Sequence, residues 1–445
     1  MGRLRVLVLG PGCNPEQVSI PLVTYSHAAA LAKLHDITLV AGSVVEEQLR
    51  RSTAAFCSIE VVRTPLLDRL FSLGFRVIFR SNYASQAVTA FSYPFSISFE
   101  LRAWRQFRHR IHAGEFDVVL RLMPLTAVLP SPFAFFLRKG PIPFVIGPVN
   151  GGLPFVPGFS QAQKQKEWIS GLRRLYRCMP FARSTYRKAS AIIAASSQTY
   201  SEFVAYSDKL FFIPENGVSR AVCNNDSGRR LASAKLQLIF VGALIPCKAC
   251  DIAIRAAAPL LSDDMASLII LGDGPERANL EQLTMDLGVA KAVTFRGWVS
   301  HGEVLSNLRC ADALVFPSVR DFGGGVLFEA LAAGAVPIVV DFGGPGDIVR
   351  SDFGCKVSLT SESEVVLEIG KVLRDLAGDR ERLNRLRQQG ISYAQEWLTW
   401  EAKAESTSRV LNWAVGRGAK PDLPPPKVKS QRQAHYDDLL SGCHD

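Results

Sequence analysis

The amino-acid sequence predicts an α/β protein built from two doubly wound parallel sheets. The chain has 445 residues, which is enough for two domains that each bury a core. Short apolar strand patterns alternate with helical patterns along both halves. A polar stretch at 220–234, which includes Asn224-Asn225-Asp226-Ser227-Gly228, separates the two series and has the composition of a linker.

Seven strands are expected in the first half and six in the second, and helical patterns follow most of them. The strands of the first half are expected at 5–9, 37–41, 59–62, 117–121, 143–147, 191–195 and 210–213. Those of the second half are expected at 238–242, 267–272, 293–295, 313–316, 336–340 and, more weakly, 355–358. Helices of the second half are expected at about 250–260, 276–287, 301–309, 325–333 and 362–376, and a last one at 400–415.

These elements predict four parts of the chain. Residues 1–217 are expected to form a first domain, and 218–397 a second. A helix at 398–416 is expected to pack back on the first domain, and 417–445 is expected to be a disordered, basic and proline-rich tail. Because ligands of such sheets bind beyond the carboxyl ends of the strands, we expect the two domains to face each other across a cleft.

The basic charge lies in the first half. The chain carries a net charge of +10, with +12 in residues 1–216 and −2 in 217–445. Two helical patterns interleave arginines with apolar side chains, a pattern that suits an anionic membrane surface or an acidic acceptor but also an ordinary solvated face. Their arginines are Arg102, Arg105, Arg108 and Arg110 in the first, and Arg173, Arg174 and Arg177 in the second. No motif of a nucleic-acid-binding class occurs, so nucleic acid is not an expected partner.

Cysteine use and hydropathy predict a cytoplasmic protein, with peripheral association at the inner face of a membrane as a further expectation. The nine cysteines are scattered through apolar segments, which is typical of a reducing compartment. Cys247 and Cys250 form a lone CxxC pair, for which accidental spacing is favoured over a zinc or redox site. No apolar run reaches the ~20 residues that a spanning helix needs.

The stretch 313–340 combines a buried strand, a glycine loop and a helix start. Gly323-Gly324-Gly325 lets backbone amides approach a ligand, and the N-terminus of the following helix favours an anion such as a diphosphate. Glu329, in the first turns of that helix, suits two hydrogen bonds from the vicinal hydroxyls of a ribose. An ordinary crossover with a solvated glutamate is the alternative, and the glycine run alone does not decide between them.

Several motifs in order resemble the GT-B nucleotide-sugar glycosyltransferases, specifically the large retaining family commonly numbered four. Asp321 and Glu329 match its pair of acidic residues separated by seven positions, with Phe322-Gly323 between them. The segment 242–251 matches a second motif at Gly242, Leu244, Lys248 and Asp251. Further matches are 213–218, 271–276, 295–299 and 343–349. The segment 147–152, Gly-Pro-Val-Asn-Gly-Gly, is a pattern of a bacterial surface-polysaccharide subgroup.

The resemblance implies a role for each matched residue. Lys248 neutralises the leaving diphosphate, Asp321 accepts hydrogen bonds from the donor sugar, and Glu329 holds the ribose. For Asp321 the alternative is an N-cap of the 325–333 helix, and for Lys248 a surface lysine at a helix start. The remaining donor-binding residues are expected to act mainly through their backbone. They are Phe322, Gly323, Gly324, Gly325, Val326 and Leu327 at sugar and phosphate, Gly242 after the preceding strand, and Gly272, Gly274, Gly297, Trp298 and Val299 at the nucleobase.

The resemblance also implies a reaction: a hexosyl group moves from a UDP- or GDP-linked sugar to an acceptor hydroxyl, with retention at the anomeric carbon. No obligatory metal is expected, because the Asp-x-Asp motif of the metal-dependent class does not occur. No obligatory cofactor is expected either. The expected acceptor is a saccharide or a polyprenyl-diphosphate-linked sugar of a surface polysaccharide. Two alternatives stay open, a non-catalytic relative that binds a partner and a phosphate-dependent glycosyl phosphorylase.

The sequence also departs from the family pattern. Ala243 replaces the usual arginine beside the phosphates, and Arg320 is the candidate for a compensating cation. Asn150, placed where many relatives carry a histidine, is a candidate catalytic residue. Gly10 and Gly12 follow the first strand and are expected to reach the donor phosphates. Their loop lacks the third glycine of a dinucleotide fingerprint, so NAD is not an expected ligand.

Overall fold

A computed structural model describes residues 2–64, 92–151, 179–223 and 235–423. The described residues form two compact units. The first contains 2–64, 92–151, 179–215 and 400–423, and the second contains 216–223 and 235–399. The arginine pattern at 173–177, most of the predicted linker and most of the predicted tail lie outside the described residues.

The first unit is built on a parallel sheet of seven strands in the order β3-β2-β1-β4-β5-β6-β7. These strands are β1 (Arg5–Leu9), β2 (Asp36–Gly42), β3 (Ser58–Val62), β4 (Val118–Arg121), β5 (Phe144–Val149), β6 (Ala191–Ala194) and β7 (Leu210–Phe212). Its helices up to residue 215 are α1 (Ile20–Ala32), α2 (Glu46–Arg51), α3 (Tyr93–His112), α4 (Pro132–Phe136), α5 (Ala182–Lys188) and α6 (Ser197–Glu202). Short 3₁₀ turns occupy Ser43–Val45, Leu137–Lys139 and Val204–Tyr206.

The second unit is built on a parallel sheet of six strands in the order β10-β9-β8-β11-β12-β13. These strands are β8 (Leu236–Val241), β9 (Ala266–Leu271), β10 (Val293–Gly297), β11 (Ala313–Phe316), β12 (Val336–Val340) and β13 (Cys355–Val357). Its helices are α7 (Arg220–Cys223), α8 (Cys250–Ser262), α9 (Arg277–Asp286), α10 (His301–Cys310), α11 (Gly325–Ala333), α12 (Gly343–Ile348), α13 (Glu362–Gly378) and α14 (Arg380–Tyr393). Short 3₁₀ turns occupy Pro246–Lys248 and Ala290–Ala292, and a π-helical turn occupies Ala394–Leu398.

The last described helix, α15 (Trp400–Ala414), returns to the first unit. It packs along α1, and Val410 and Leu411 join the apolar cluster beneath that helix. Two histidines of the first unit bind hydroxyls on α15: His27 Nε2 lies 2.9 Å from Thr407 Oγ1, and His35 Nε2 lies 2.7 Å from Ser408 Oγ.

Both sheets are covered on both faces because successive side chains of a strand point in opposite directions. In β1, Val6 and Val8 join the cluster with α1 and α15, whereas Leu7 and Leu9 join the cluster with α3 and α4. In the second sheet, β8, β9, β11 and β12 likewise divide their side chains between two clusters. Ile239 of β8 packs with α11, whereas its neighbours Leu238 and Phe240 pack with α8. The predicted fold class, two doubly wound parallel sheets, is confirmed.

Two predictions about local structure need correction. The predicted linker begins with the helical turn α7, because Val222 is buried against the second unit's core. Helices α12 and α14 are missing from the predicted elements, and α14 has few apolar positions, with Leu383 and Leu386 buried.

Helix α3 carries the first predicted arginine pattern. Phe107 is buried and Trp104 stacks on Phe136 at 5.0 Å between ring centroids, so the interleaved aromatic side chains belong to the core of the first unit. Arg110 pairs with Glu60 and Glu115. No helix in the described part of the chain combines the length and the apolar character needed to cross a membrane.

Candidate functional site

Strand order locates a ligand site in the second unit. From β8 the chain proceeds to β9 and β10 on one side, whereas β11 lies on the other side of β8 and leads to β12 and β13. The loops after β8 and β11 therefore run in opposite directions from the carboxyl edge of the sheet. Ligands of open parallel sheets bind at such a topological switch point.

A lysine and an aspartate join these two loops. Lys248 ends the 3₁₀ turn after β8, and its Nζ donates to Oδ2 of Asp321 in the loop after β11. The two side chains are 23% and 13% exposed, so the ion pair is partly open to solvent. The loops are also joined behind the pair, since Ser318 Oγ and Val319 N both donate to Cys247 O at 3.1 Å. Lys248 and Asp321, which the sequence places 73 positions apart, thus lie side by side.

The loop after β11 presents a helix N-terminus to this edge. Gly324 occupies the N-cap of α11 with φ of +50°, a left-handed conformation in which glycine carries no steric cost. Oδ1 of Asp321 accepts from Gly324 N at 2.9 Å. Asp321 is therefore not the N-cap residue of α11. Its carboxylate instead holds the backbone of the N-cap residue, Gly324, in place.

Not every amide that was predicted to bind the donor is free to do so. Leu327 N already donates to Gly324 O at 2.8 Å, and the Leu327 side chain is fully buried, so this residue is better explained by packing. The first turn of a helix leaves its amides without acceptors inside the helix. Among the described residues no acceptor is assigned to the amides of Gly325 and Val326, which leaves these two for an anion.

Glu329 lies one turn further along α11, and its side chain is 23% exposed. Its Oε1 is 2.8 Å from Nε2 of His301, the first residue of α10. The hydrogen bond to Glu329 raises the pKa of His301 above its usual value. Oε2 of Glu329 has no donor in the described part of the chain and is available to a ligand hydroxyl.

The two glycines after β9 are required by the packing of backbone on backbone. A Cβ on Gly272, where φ is +131°, would overlap the carbonyl oxygen of Gly242. One on Gly274 would overlap the carbonyl oxygen of Leu244. These two predicted donor-binding glycines therefore have a structural reason that does not involve a ligand, although both lie at the carboxyl edge.

The loop after β10 completes this edge. Gly272 N donates to Gly297 O at 2.8 Å, which links the ends of β9 and β10. Trp298 is 70% exposed, and Val299 packs on the apolar cluster that contains Ile239. An exposed indole is thus the most prominent side chain beside the predicted nucleobase position.

The structure gives the position of Arg320, the candidate compensating cation, and of the cysteines beside it. Burial raises the pKa of the Cys247 thiol, and the positive charges of Lys248 and Arg320 oppose that rise, so Arg320 stands near the Lys248 turn. Cys247 and Cys250 are both buried free thiols. The described residues contain no group of three or more His, Cys, Asp or Glu side chains arranged to hold a metal ion.

Asn150, the predicted catalytic residue of the first unit, lies in a buried hydrogen-bond network. Its Nδ2 donates to Glu215 Oε2 at 3.0 Å, and its Oδ1 accepts from Gly151 N and Ser196 Oγ, both at 2.9 Å. Lys403 of α15 extends the network by donating to Pro214 O, and its burial holds the pKa of Lys403 well below its usual value. The Asn150 side chain therefore holds the loop after β5 in place, with its oxygen already shared by two donors.

Gly10 and Gly12 lie at the switch point of the first sheet, where the loops after the neighbouring strands β1 and β4 run in opposite directions. Gly12 N is 3.3 Å from Sδ of Met123, and a Cβ on Gly12 would come within 2.8 Å of the methyl carbon of Met123. The Cys13 side chain fills the corresponding space at Gly10. Sulfur and methyl groups thus surround these glycines, with no charged group among these contacts.

Comparison with known proteins finds a family match within the second half of the chain. Residues 225–393 match the family model described as glycosyl transferases group 1. This part of the chain is therefore similar to that family. An uncharacterized glycosyltransferase of Methanocaldococcus jannaschii is 33% identical over 180 residues, covering 40% of this chain and 45% of the relative. A D-inositol 3-phosphate glycosyltransferase of Nocardia farcinica is 31% identical over 192 residues, covering 41% and 42%. The chain thus spans less than half the length of these two curated relatives.

Solved structures extend the likeness in fold beyond the group 1 domain. Anabaena HepE in complex with UDP superposes with a TM-score of 0.63 at 16% identity, over 92% of this chain and all of that one. Sucrose-phosphate synthase from Thermosynechococcus elongatus superposes with a TM-score of 0.63 at 15% identity, over 94% of this chain and all of that one. These neighbours are GT-B glycosyltransferases, and the fold prediction agrees with them.

The described part of the second unit contains a residue of interest, His301, that the sequence did not reveal. His301 lies 28 positions before Glu329 and belongs to none of the matched motifs. The only signal in the sequence was its position directly after Ser300, which forms a capping box with Glu303 and so fixes the start of α10. That signal predicts a helix start, but it does not predict which carboxylate the histidine would meet.

Proposed function

We propose that the protein is a glycosyltransferase that moves a hexosyl group from a nucleoside-diphosphate sugar to an acceptor hydroxyl. The observation that carries this proposal is the Lys248–Asp321 pair at the switch point of the group 1 domain, beside the first turn of α11. The family match favours this function over the two alternatives, a non-catalytic relative and a phosphorylase.

In the proposed complex the diphosphate binds to Lys248 and to the amides of Gly325 and Val326. A cation, a helix N-terminus and two amides without protein acceptors all favour an anion at one place. Glu329 would accept from the ribose, and the base would lie along Gly272–Gly274 and Gly297–Val299. Arg320 remains our candidate for the cation that Ala243 does not supply.

Donor binding on this proposal requires an exchange of partners. Asp321 now neutralises Lys248. A diphosphate with two negative charges competes for the ammonium group, and the released carboxylate can then accept hydrogen bonds from the sugar hydroxyls. During the reaction Lys248 would stabilise the charge that develops on the leaving phosphate, and the protein would otherwise act by positioning. Retention of configuration and independence of metal ions are part of the proposal.

For the acceptor we propose a saccharide or polyprenyl-diphosphate-linked sugar, as in the assembly of a surface polysaccharide, bound by the first unit. The support is electrostatic, since residues 1–216 carry +12 and the exposed side of α3 includes Arg102, Arg105 and Arg108. Such a surface attracts an anionic membrane as well as a diphosphate. The loops at Asn150, Gly10 and Gly12 are our candidates for the acceptor and phosphate side of the reaction. The proposed location is the cytoplasmic face of the membrane.

The test begins with thermal shifts in UDP, GDP, ADP and their sugars. A ligand at 100 times its dissociation constant adds about 2.7 kcal/mol of stability, so a true donor nucleotide should be evident. Calorimetry of the nucleotide that binds should then show affinity lower by about 10- to 100-fold in Lys248→Met, because a charge-assisted contact is lost.

Lys356→Met is the matched control for Lys248→Met. Lys356 pairs with Asp341 at 2.9 Å in the same unit, and the two side chains are 26% and 18% exposed, close to the values of the Lys248 pair. The Lys356→Met variant should bind the nucleotide with the wild-type affinity and transfer the sugar at the wild-type rate. Equal losses in both variants, or a wild type that binds none of the nucleotides, would refute the proposed function.

A further inference from the structure

The contact between His301 and Glu329 links two helices at the place where the ribose is expected. His301 is the first residue of α10, and the capping box of Ser300 and Glu303 fixes the backbone there. Glu329 lies in the second turn of α11. The 2.8 Å bond between Nε2 and Oε1 therefore joins the anchored start of α10 to the second turn of α11.

The bond occupies one carboxylate oxygen of Glu329 and leaves the other oxygen for a ligand. Oε1 accepts from His301, and Oε2 has no donor among the described residues. A carboxylate has about four lone-pair sites, so the bond to His301 leaves room for two hydroxyl donors. A glutamate without such a partner could adopt several rotamers, and each would point its oxygens elsewhere.

We propose that His301 is a positioning residue that holds Glu329 in the rotamer that recognises the ribose of the donor. His301 acts through Glu329 and selects ribonucleotides over deoxyribonucleotides. This inference rests on the proposed function, because it takes Glu329 as the ribose ligand.

The competing explanation is an ordinary surface ion pair. The His301 side chain is 63% exposed, and pairs of this kind commonly contribute little to stability. Stability therefore does not distinguish the two explanations, but selectivity for the ribose does. An ion pair without a role in binding would not change the ratio of the affinities for two ligands that differ by one hydroxyl.

The experiment compares the nucleoside diphosphate that binds best with its 2′-deoxy counterpart by calorimetry. In the wild type we expect the ribonucleotide to bind at least about tenfold more tightly, as is usual when a site is built to hydrogen-bond a hydroxyl. In His301→Ala that ratio should fall by about three- to tenfold, because the ribonucleotide loses two positioned hydroxyl contacts to Glu329 and the deoxynucleotide, which has only the 3′-hydroxyl, loses one. Thermal melts confirm that each variant is folded.

Two further variants separate positioning from structure. In His301→Gln the amide nitrogen can replace Nε2 as the donor, so the ratio should return towards the wild-type value. Glu329→Ala should bring the ratio close to one. His112→Ala, which removes an exposed histidine of the first unit, should leave it unchanged.

The outcomes are distinguishable. An unchanged ratio in His301→Ala would overturn this inference while leaving nucleotide binding intact. Equal loss of affinity for both ligands would overturn it too, since that result indicates a general disturbance of the site. A wild type that binds no nucleoside diphosphate would overturn the proposed function, and this inference with it.

Discussion

The two sheets have their switch points at equivalent places but fill them with different chemistry. In the second unit the loops after β8 and β11 are joined by the charged side chains of Lys248 and Asp321, which remain partly exposed. In the first unit the loops after β1 and β4 meet through Gly12 and Met123, and the buried thiol of Cys13 lies beside them. Burial raises the pKa of that thiol to about 12, so it stays neutral.

This difference shows that the strand order determines where a site lies, whereas the side chains determine what it can bind. A charged pair with one carboxylate opposite one ammonium group can exchange partners when a stronger anion arrives. A contact made of glycine backbone, methyl and sulfur cannot bind a phosphate by charge. We therefore expect the diphosphate to depend mainly on the second switch point.

The largest effect is expected where backbone packs on backbone. Gly272→Ala should destabilise the second unit by about 3 kcal/mol or more, because the new Cβ would overlap a carbonyl and φ of +131° strains an L-residue. Gly12→Ala should cost about 1 kcal/mol or less, because the flexible end of Met123 can move. Urea unfolding of both variants measures the difference in the free energy of unfolding. Equal losses would show that the two loops accommodate an added methyl group equally well.

An intermediate effect concerns acid, because the first unit buries His27, a side chain that titrates near neutral pH when it is exposed. Burial lowers the pKa of His27 from 6.5 to about 3. Below pH 6.5 the unfolded chain binds a proton that the folded chain does not, so stability falls by up to about 1.4 kcal/mol per pH unit as the pH decreases towards 3. At pH 5 the loss is about 2 kcal/mol relative to neutral pH.

His27→Gln tests this effect. Glutamine can keep a hydrogen bond to Thr407 but does not titrate. The difference in unfolding free energy between wild type and variant should change by about 2 kcal/mol between pH 7.5 and pH 5. A constant difference over this range would mean that His27 is accessible to protons in the folded protein.

Part of this comparison could be predicted from the sequence. The bounds of β1, β11 and β12 were predicted to the residue, because continuous apolar runs between turn residues identify buried strands. The lysine and the glycine loop were predicted to meet at one anion site because two motifs implied it. The Lys248–Asp321 bond itself was not predicted, since partners 73 positions apart become visible only when the strand order is known.

Other features depend on tertiary contacts that leave little trace in the sequence. Helix α14 was missed because its charged sequence shows few apolar positions, although Leu383 and Leu386 are buried. Asn150 was interpreted as a catalytic group, and only the structure shows its bonds to Glu215 and Ser196.

The smallest effect is expected beside Lys248. Ala249 adopts φ of +53° and ψ of +44°, a left-handed conformation that costs an alanine about 1 kcal/mol. Ala249→Gly removes that cost but adds freedom to the unfolded chain, so we expect a net gain in stability of about 0.5 kcal/mol. Nucleotide affinity should not change. A loss of more than about 1 kcal/mol would show that the buried methyl group matters more than the strain.

Hydrogen exchange at the glycine loop tests most directly whether the diphosphate binds at the second switch point. The amides of residues 322–327 are measured with and without a saturating nucleoside diphosphate, and the β13 amides serve as the internal reference. We predict slower exchange at Gly325 and Val326 when the ligand is bound, with β13 unchanged. Unchanged exchange at these two amides, in protein that calorimetry shows to be saturated, would contradict the assignment of the site.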